Sequence, residues 1–375
     1  MKQYIYADNA ATTQLDPQAF EAMIPWLRDE YGNASQPYSF SRKPKKAIAD
    51  ARAVIAECIN AESEEIYFTS GGTESDNWAV KGSAFSDPDH RAMITSQIEH
   101  HAVLHSCAAI ERIGYPVAYL PADEDGRILP ETLDRYISDR TRLVSVMTAN
   151  NEIGTIQDIA RLADIAHAHG AMFHTDAVQA VGHIPIDVKA LDVDMLSASA
   201  HKFNGPRGIG FLYIRKGIEV HPFMDGGGQE NKNRAGTENT AAIVGMSIAL
   251  MNNIKNMMHT SDSIRSLENL LITKLLEAGL VFKRNGVNTL PGLISLSFPH
   301  SSGEMLLHRM DLKGICISTG SACDGSNDEI SHVLQAIHLP DEYAKGTVRI
   351  SLGKQNTESD IIKIAESLKQ ILTPK

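Results

Sequence analysis

Short apolar runs alternate with amphipathic stretches through the first two-thirds of the chain, and this alternation sets the expected architecture. Residues 66–68, 93–95, 117–120 and 143–147 read as strands, as do 171–175, 195–197 and 209–214. Residues 73–81, 101–113 and 156–169 carry helical spacing. In the last of these, Ile156, Ile159, Ala160, Ala163, Ile165 and Ala166 recur at roughly helical intervals, and Gly170 stops the helix as Gly114 stops the one before it. Strand and helix in strict alternation predict a mostly parallel sheet covered by helices. The pattern changes after about residue 250. Helices are expected over 239–257, 261–278, 303–311 and 358–372, with strands near 293–298 and 347–352, as in a smaller α+β unit. The expected division is a large domain over 14–255 and a small one built from 1–13 and 256–375.

Composition narrows the function classes. A chain of 375 residues suits one large domain with a smaller partner. The net charge of -11 argues against a nucleic-acid partner. No apolar run reaches bilayer-spanning length, and the N-terminal MKQYIYADNAATT lacks the apolar stretch of a secretion signal, so a soluble cytoplasmic protein is expected. The four cysteines, Cys58, Cys107, Cys316 and Cys323, match neither a zinc site nor a disulfide framework, and no metal is expected.

Chemistry concentrates where strands end. Lys202, in Ser199-Ala200-His201-Lys202, lies between an apolar strand and the turn Gly205-Pro206-Arg207-Gly208. That position suits an amine forming a Schiff base with pyridoxal phosphate, with the Ser and His on the phosphate; a surface lysine beside a turn is the alternative. Gly71-Gly72-Thr73 opens a helix and can cup an anion, or can be an ordinary turn with a capping Thr. Asp176 ends a strand, where it can pair with a pyridine nitrogen or cap the next helix, and Gln179 follows one turn on. His100 and His101 end another strand and can stack on a ring or move protons. Asn151 can hold a carboxylate or a ring hydroxyl, or be a turn residue. Arg349, within a strand pattern, can clamp a carboxylate or face solvent. Cys323, in a loop of Gly, Ser and Ala, has the setting of an exposed, reactive thiol, or of an incidental surface one, whereas the other three cysteines fall in apolar elements.

Taken in order, YADNAATT at 6–13, FTSGGTESDN at 68–77, EHHAVL at 99–104, NNEIG at 150–154, DAVQAVG at 176–182, SAHK at 199–202, GGGQE with RAGTEN at 226–239, and GSAC at 320–323 resemble the cysteine desulfurases of the NifS/IscS type. These belong to the class V aminotransferase group of fold-type I pyridoxal-phosphate enzymes. The resemblance covers nearly the whole chain, and the GSAC loop points to sulfur chemistry rather than transamination. It implies an α/β large domain that binds pyridoxal 5'-phosphate on a mostly parallel seven-stranded sheet, and a small domain that carries the catalytic cysteine loop.

The residue roles follow from the same resemblance. Lys202 matches the Schiff-base lysine, Asp176 the pyridine-nitrogen partner, Gln179 the neighbour of the ring hydroxyl and His100 the ring-stacking histidine. Gly72, Thr73, Ser199 and His201 match phosphate-binding positions, and Thr237 a phosphate contact donated by the other subunit of a homodimer. Asn151 and Arg349 match the substrate-carboxylate site, and Cys323 the thiol that receives sulfur from L-cysteine as a persulfide. Sulfur then passes to an acceptor protein such as an iron–sulfur scaffold, and alanine is released. Two segments depart from the family pattern: Gly32-Asn33-Ala34-Ser35-Gln36, and the acidic Asp324-Gly325-Ser326-Asn327-Asp328-Glu329, which leaves the sulfur acceptor open. The rival readings are a selenocysteine lyase or related class V enzyme, and a silent protein that keeps the fold; the presence of Lys202 and Asp176 speaks against the second.

Overall fold

The computed structural model describes residues 4–319 and 330–373. Its strands in chain order are β1 (Ile5–Tyr6), β2 (Ile66–Thr69), β3 (Ala92–Ser96), β4 (Val117–Leu120), β5 (Thr141–Ser145), β6 (Met172–Asp176), β7 (Met195–Ser199), β8 (Gly210–Ile214), β9 (Lys283–Asn285), β10 (Leu293–Ser297), β11 (Ile315–Cys316) and β12 (Thr347–Ser351). Seven of them form the main sheet in the order β2-β8-β7-β6-β5-β3-β4. All its pairings are parallel except those of β8, which runs against both β2 and β7. The expected mostly parallel, helix-covered sheet is therefore present.

β5 through β8 are buried on both faces or nearly so, as a covered parallel sheet requires. On one face Ile55, Val144, Phe173, Leu196 and Met246 pack together, and on the other Trp78, Val103, Met195 and Leu212. A second core forms around β10 and β12, where Leu296, Val348 and Ile350 meet Leu271 and Ile364. β1 pairs parallel with β11, which joins the first residues of the chain to this second core.

The helices expected over 239–257 and 261–278 are one continuous helix, Thr240–Glu277. The sequence His259-Thr260-Ser261-Asp262 reads as a stop and restart, because Ser, Thr and Asp favour caps. Here Asp262 and Ser263 simply face outward, while Met257, Ile264, Leu267 and Leu271 continue one buried stripe. Tertiary packing on that stripe overrides local preference. The helix expected over 156–169 starts later, at Ile159, because Ile156 forms a bridge with Ala149 and Asp158 caps the first turn. Gly114 and Gly170 both adopt the left-handed conformation (φ 100° and 71°) that ends the preceding helices. None of the helices among the described residues is long and apolar enough to cross a membrane.

Candidate active site

The carboxyl ends of the parallel strands all point to one edge of the sheet, and their following loops converge there. β2 leads to Gly72 and Thr73, β3 to His100, β5 to Asn151, β6 to Asp176 and Gln179, and β7 ends at Ser199 and leads to His201 and Lys202. All of these line a single cavity of about 630 Å³, which Arg349 of β12 and Asp8 close from the second core. This is a volume that fits a small-molecule ligand. The structure thus gathers ten of the residues expected from sequence. Thr237 is set apart, in an adjoining depression that shares Ser70 and Gly208 with the cavity. Cys323 and its loop lie outside the described residues.

Lys202 Nζ donates to the carbonyls of Ala10 (2.7 Å) and Ala11 (3.0 Å). Gln179 Nε2 donates to the same Ala10 carbonyl at 2.9 Å, so the turn after β1 orients both side chains. Asp176 Oδ1 accepts from the Val178 amide at 2.9 Å. Burial raises the Asp176 carboxyl above its ordinary range, against the pull of that amide and of the Lys202 ammonium. A cation placed against Asp176 would favour its charged form.

Behind Asp176 stand two further buried acids. Burial drives Asp76 well above the carboxylate range, and the charges of Asp176 and Glu99 add to the effect, against a hydrogen bond from Ser197. Glu99 is pushed up to about 8, mainly by burial, although Ser96 Oγ (2.6 Å) and the Met147 amide (2.9 Å) both donate to its Oε1. At about 8, Glu99 is mostly protonated at pH 7, and burial favours the protonated form of Asp76 as well. His174 lies 3.8 Å from Asp76 without forming an ion pair. Burial lowers His174 to about 3, and its ring bridges Ser145 Oγ and Ser197 Oγ at 2.8 and 3.0 Å.

His100 caps helix His101–Glu111, and its Nδ1 accepts from the Ala102 amide at 3.1 Å. That bond assigns the proton of the neutral ring to Nε2. His201 is uncharged: burial, then Lys202 and Arg207, lowers it to about 4, and its Nδ1 lies 3.2 Å from Thr12 Oγ1.

The turn after β2 forms the anion cup. Gly71 has φ 150° and ψ -177°, a conformation reserved for glycine, and helix Gly72–Phe85 begins there without a side-chain cap. Its first amides face the cavity wall, where an anion would satisfy them. Gly210 backs the turn: a Cβ there would strike the Ala198 carbonyl oxygen and stand 2.8 Å from Gly71 Cα. At the other end, Arg349 donates to the Asn151 carbonyl (2.8 Å) and Asp8 Oδ1 (2.9 Å), and its buried Nε has no partner among the described residues. The arrangement can hold a phosphorylated aromatic ring with a carboxylate beside it. Of the three cysteines expected in apolar elements, Cys107 is buried while Cys58 and Cys316 are only partly so. Burial nonetheless raises all three thiols, Cys58 to about 11 and Cys107 to about 12.

Sequence reasoning assigned no role to Asp76, Asp8 or the Ala10 carbonyl. Asp76 lies one helical turn beyond Gly72, on the cavity side, and that spacing was the available signal. Asp8 and Ala10 offer no comparable signal, because only the fold brings them to Arg349 and Lys202.

A family profile described as aminotransferase class-V matches residues 5–364. The cysteine desulfurase IscS of Dictyoglomus turgidum is 46% identical over 375 residues, covering 99% of this chain and 95% of that protein. The cysteine desulfurase IscS of Methanosarcina thermophila is 47% identical over 371 residues, covering 98% and 92%. Among solved structures, a NifS-like protein has a TM-score of 0.93 at 35% identity and covers 99% of each chain. SspA in complex with cysteine has a TM-score of 0.84 at 36% identity, covering 94% of this chain and 100% of that one.

Proposed function

Because the chain belongs to the aminotransferase class-V family, we propose that it is a pyridoxal-phosphate-dependent cysteine desulfurase, which converts L-cysteine to L-alanine and passes the sulfur to an acceptor. The observation that carries this reading is the convergence of Lys202, Asp176 and the uncapped turn at Gly71-Gly72 on one cavity.

These residues fit the cofactor. The open amides at the start of helix Gly72–Phe85, with Thr73, Ser199 and His201, would hold its phosphate. Asp176 would hold the proton on its ring nitrogen, Gln179 would stand beside the ring hydroxyl, and His100 would stack on the ring. Bound there, pyridoxal phosphate supplies an electron sink for charge released at the amino-acid α-carbon.

The chain's own groups do the rest. Arg349, oriented by Asp8 and the Asn151 carbonyl, binds the substrate carboxylate, assisted by the Asn151 side chain. Lys202 takes the proton from the substrate Cα. His100, with its proton on Nε2, would exchange a proton with the substrate thiol or the Cys323 thiol. The Cys323 thiolate attacks the substrate sulfur and becomes the persulfide as the substrate Cβ–S bond breaks; the electron pair of that bond stays with Cβ, which takes up a proton, and alanine leaves. Thr237 completes the phosphate site of the neighbouring copy in a homodimer, which is supported by its position outside its own cavity. The sulfur acceptor is an iron–sulfur scaffold or a thio-cofactor carrier, and the protein acts in the cytoplasm. The small domain comprises residues 1–13 and 256–375, a division supported by the second core, although Val333, Leu334 and Ile337 pack in the main one.

The test is Cys323→Ser. The variant is expected to keep the cofactor's visible absorbance and bind L-cysteine, and to lose alanine and sulfide production by about a hundredfold or more. Lys202→Ala is expected to release the cofactor on dialysis. Wild-type alanine production by Cys323→Ser would make a direct elimination the better reading.

A further inference from the structure

Glu74 places a carboxylate in the first turn of helix Gly72–Phe85, on the wall of the cavity beside the anion cup. Its Oε2 accepts from the Ser70 amide at 2.9 Å, so it cannot swing away without freeing that amide. An ionised carboxylate is favourable at a helix start when nothing else is there, but it repels a phosphate dianion brought to the same turn. Burial favours the neutral acid, yet Arg234 and the Ser70 bonds outweigh burial and hold Glu74 below its ordinary range. Glu74 is therefore charged, and something must cancel that charge.

Arg234 is the group that does so. Its Nε donates to Glu74 Oε1 at 2.7 Å and its Nη2 to Oε2 at 3.1 Å, a two-pronged contact with both side chains largely buried. Arg234 lies in the loop after Phe223, three residues before Thr237, and the loop is pinned independently of this contact. Phe223 donates to the Asn233 carbonyl, and Ala235 to that of Met224. Arg52 grips both oxygens of Glu230 at 2.7 Å, and the Phe68 amide adds a third bond at 2.9 Å. These contacts hold Glu230, Asn231 and Lys232 in the left-handed region (φ 44°, 56° and 69°), which non-glycine residues adopt only when their surroundings enforce it. The loop is thus built to deliver Arg234 to Glu74 at a fixed place.

We propose that Arg234 is a positioning residue for the phosphate end of the cofactor site, which cancels the Glu74 charge and so makes the cup selective for the phosphorylated cofactor. The proposal rests on the pyridoxal-phosphate reading given above. A purely structural role for Arg234 would affect phosphorylated and unphosphorylated ligands alike; charge cancellation would not.

The experiment titrates apo protein with pyridoxal phosphate and, separately, with pyridoxal, following absorbance. Wild type is compared with R234Q, R234K, E74Q and E74Q/R234Q. R234Q is expected to weaken pyridoxal phosphate about tenfold or more while changing pyridoxal less than about twofold. E74Q is expected to stay near wild type, and E74Q/R234Q to recover to within about threefold of wild type, because the bare carboxylate is gone. R234K keeps the charge without the fork and is expected to fall between. Equal weakening of both ligands in R234Q, or a double variant as weak as R234Q, would overturn the proposal and leave the cofactor reading intact. A wild-type protein that binds neither ligand would overturn both.

Discussion

Replacing Glu99 with glutamine should make the cofactor-free protein more stable at neutral pH, and the gain should depend on pH in a specified way. Glu99 is fully buried, Oε1 takes two hydrogen bonds, and Oε2 has no partner among the described residues. Its folded-state pKa of about 8 compares with an ordinary 4.5. Between those values the folded chain keeps a proton that the unfolded chain releases, so stability is full below 4.5 and is lost as pH rises through 8. From 4.5 to pH 7 is about 2.5 pH units, and at ~1.36 kcal/mol each the loss is about 3 kcal/mol. Glutamine presents the same accepting oxygen to Ser96 and Met147 without that loss. Urea unfolding of wild type and Glu99→Gln is therefore expected to differ by about 1 kcal/mol at pH 5, by about 3 kcal/mol at pH 7, and by more at pH 8. A difference that is flat across this range, or a variant less stable than wild type at pH 7, would refute the assignment of a neutral Glu99.

Arg349→Lys should raise the KM for L-cysteine about tenfold or more while leaving cofactor absorbance unchanged, since lysine cannot reproduce the forked contact with a carboxylate; steady-state kinetics check this. Gly210→Ala should both destabilise the protein by about 2 kcal/mol or more and weaken cofactor binding, because the new Cβ drives β8 against Gly71 and the Ala198 carbonyl; thermal melts and cofactor titration read the two effects. Light scattering should give the mass of a dimer at micromolar concentration, and Thr237→Ala should weaken cofactor binding in that dimer; a fully active monomer would contradict the proposed exchange of Thr237 between copies.

Much of this architecture was legible because strands buried on both faces must be apolar runs, and because glycines such as Gly114 and Gly170 end helices by geometry alone. Lys202 and Asp176 were legible in part because a polar residue at or just beyond the end of a parallel strand lies near the ligand edge of the sheet, though position alone also allowed a surface lysine and a helix cap. The family motifs then distinguished roles that position left open. Helices Pro17–Arg28 and Arg42–Cys58 escaped the pattern reading. The first buries little beyond Ala19 and contains Pro25, and the second hides its apolar stripe among the basic residues Arg42, Lys43, Lys45 and Lys46. The acid pair Asp76 and Asp176 could not be paired from spacing, because a hundred residues of chain separate them and the fold alone makes them neighbours.

Helix Thr240–Glu277 has 38 residues, about 57 Å at 1.5 Å each, and its first half packs in the main core while its second half packs in the other. A shaft shared in this way makes the two halves of the protein poor modules. Any cut or recombination point within it would leave both fragments with an exposed apolar stripe, so neither is suited to inheritance, swapping or expression as an independent part. The variable regions of such a protein should then be its loops, with the shaft held constant between them.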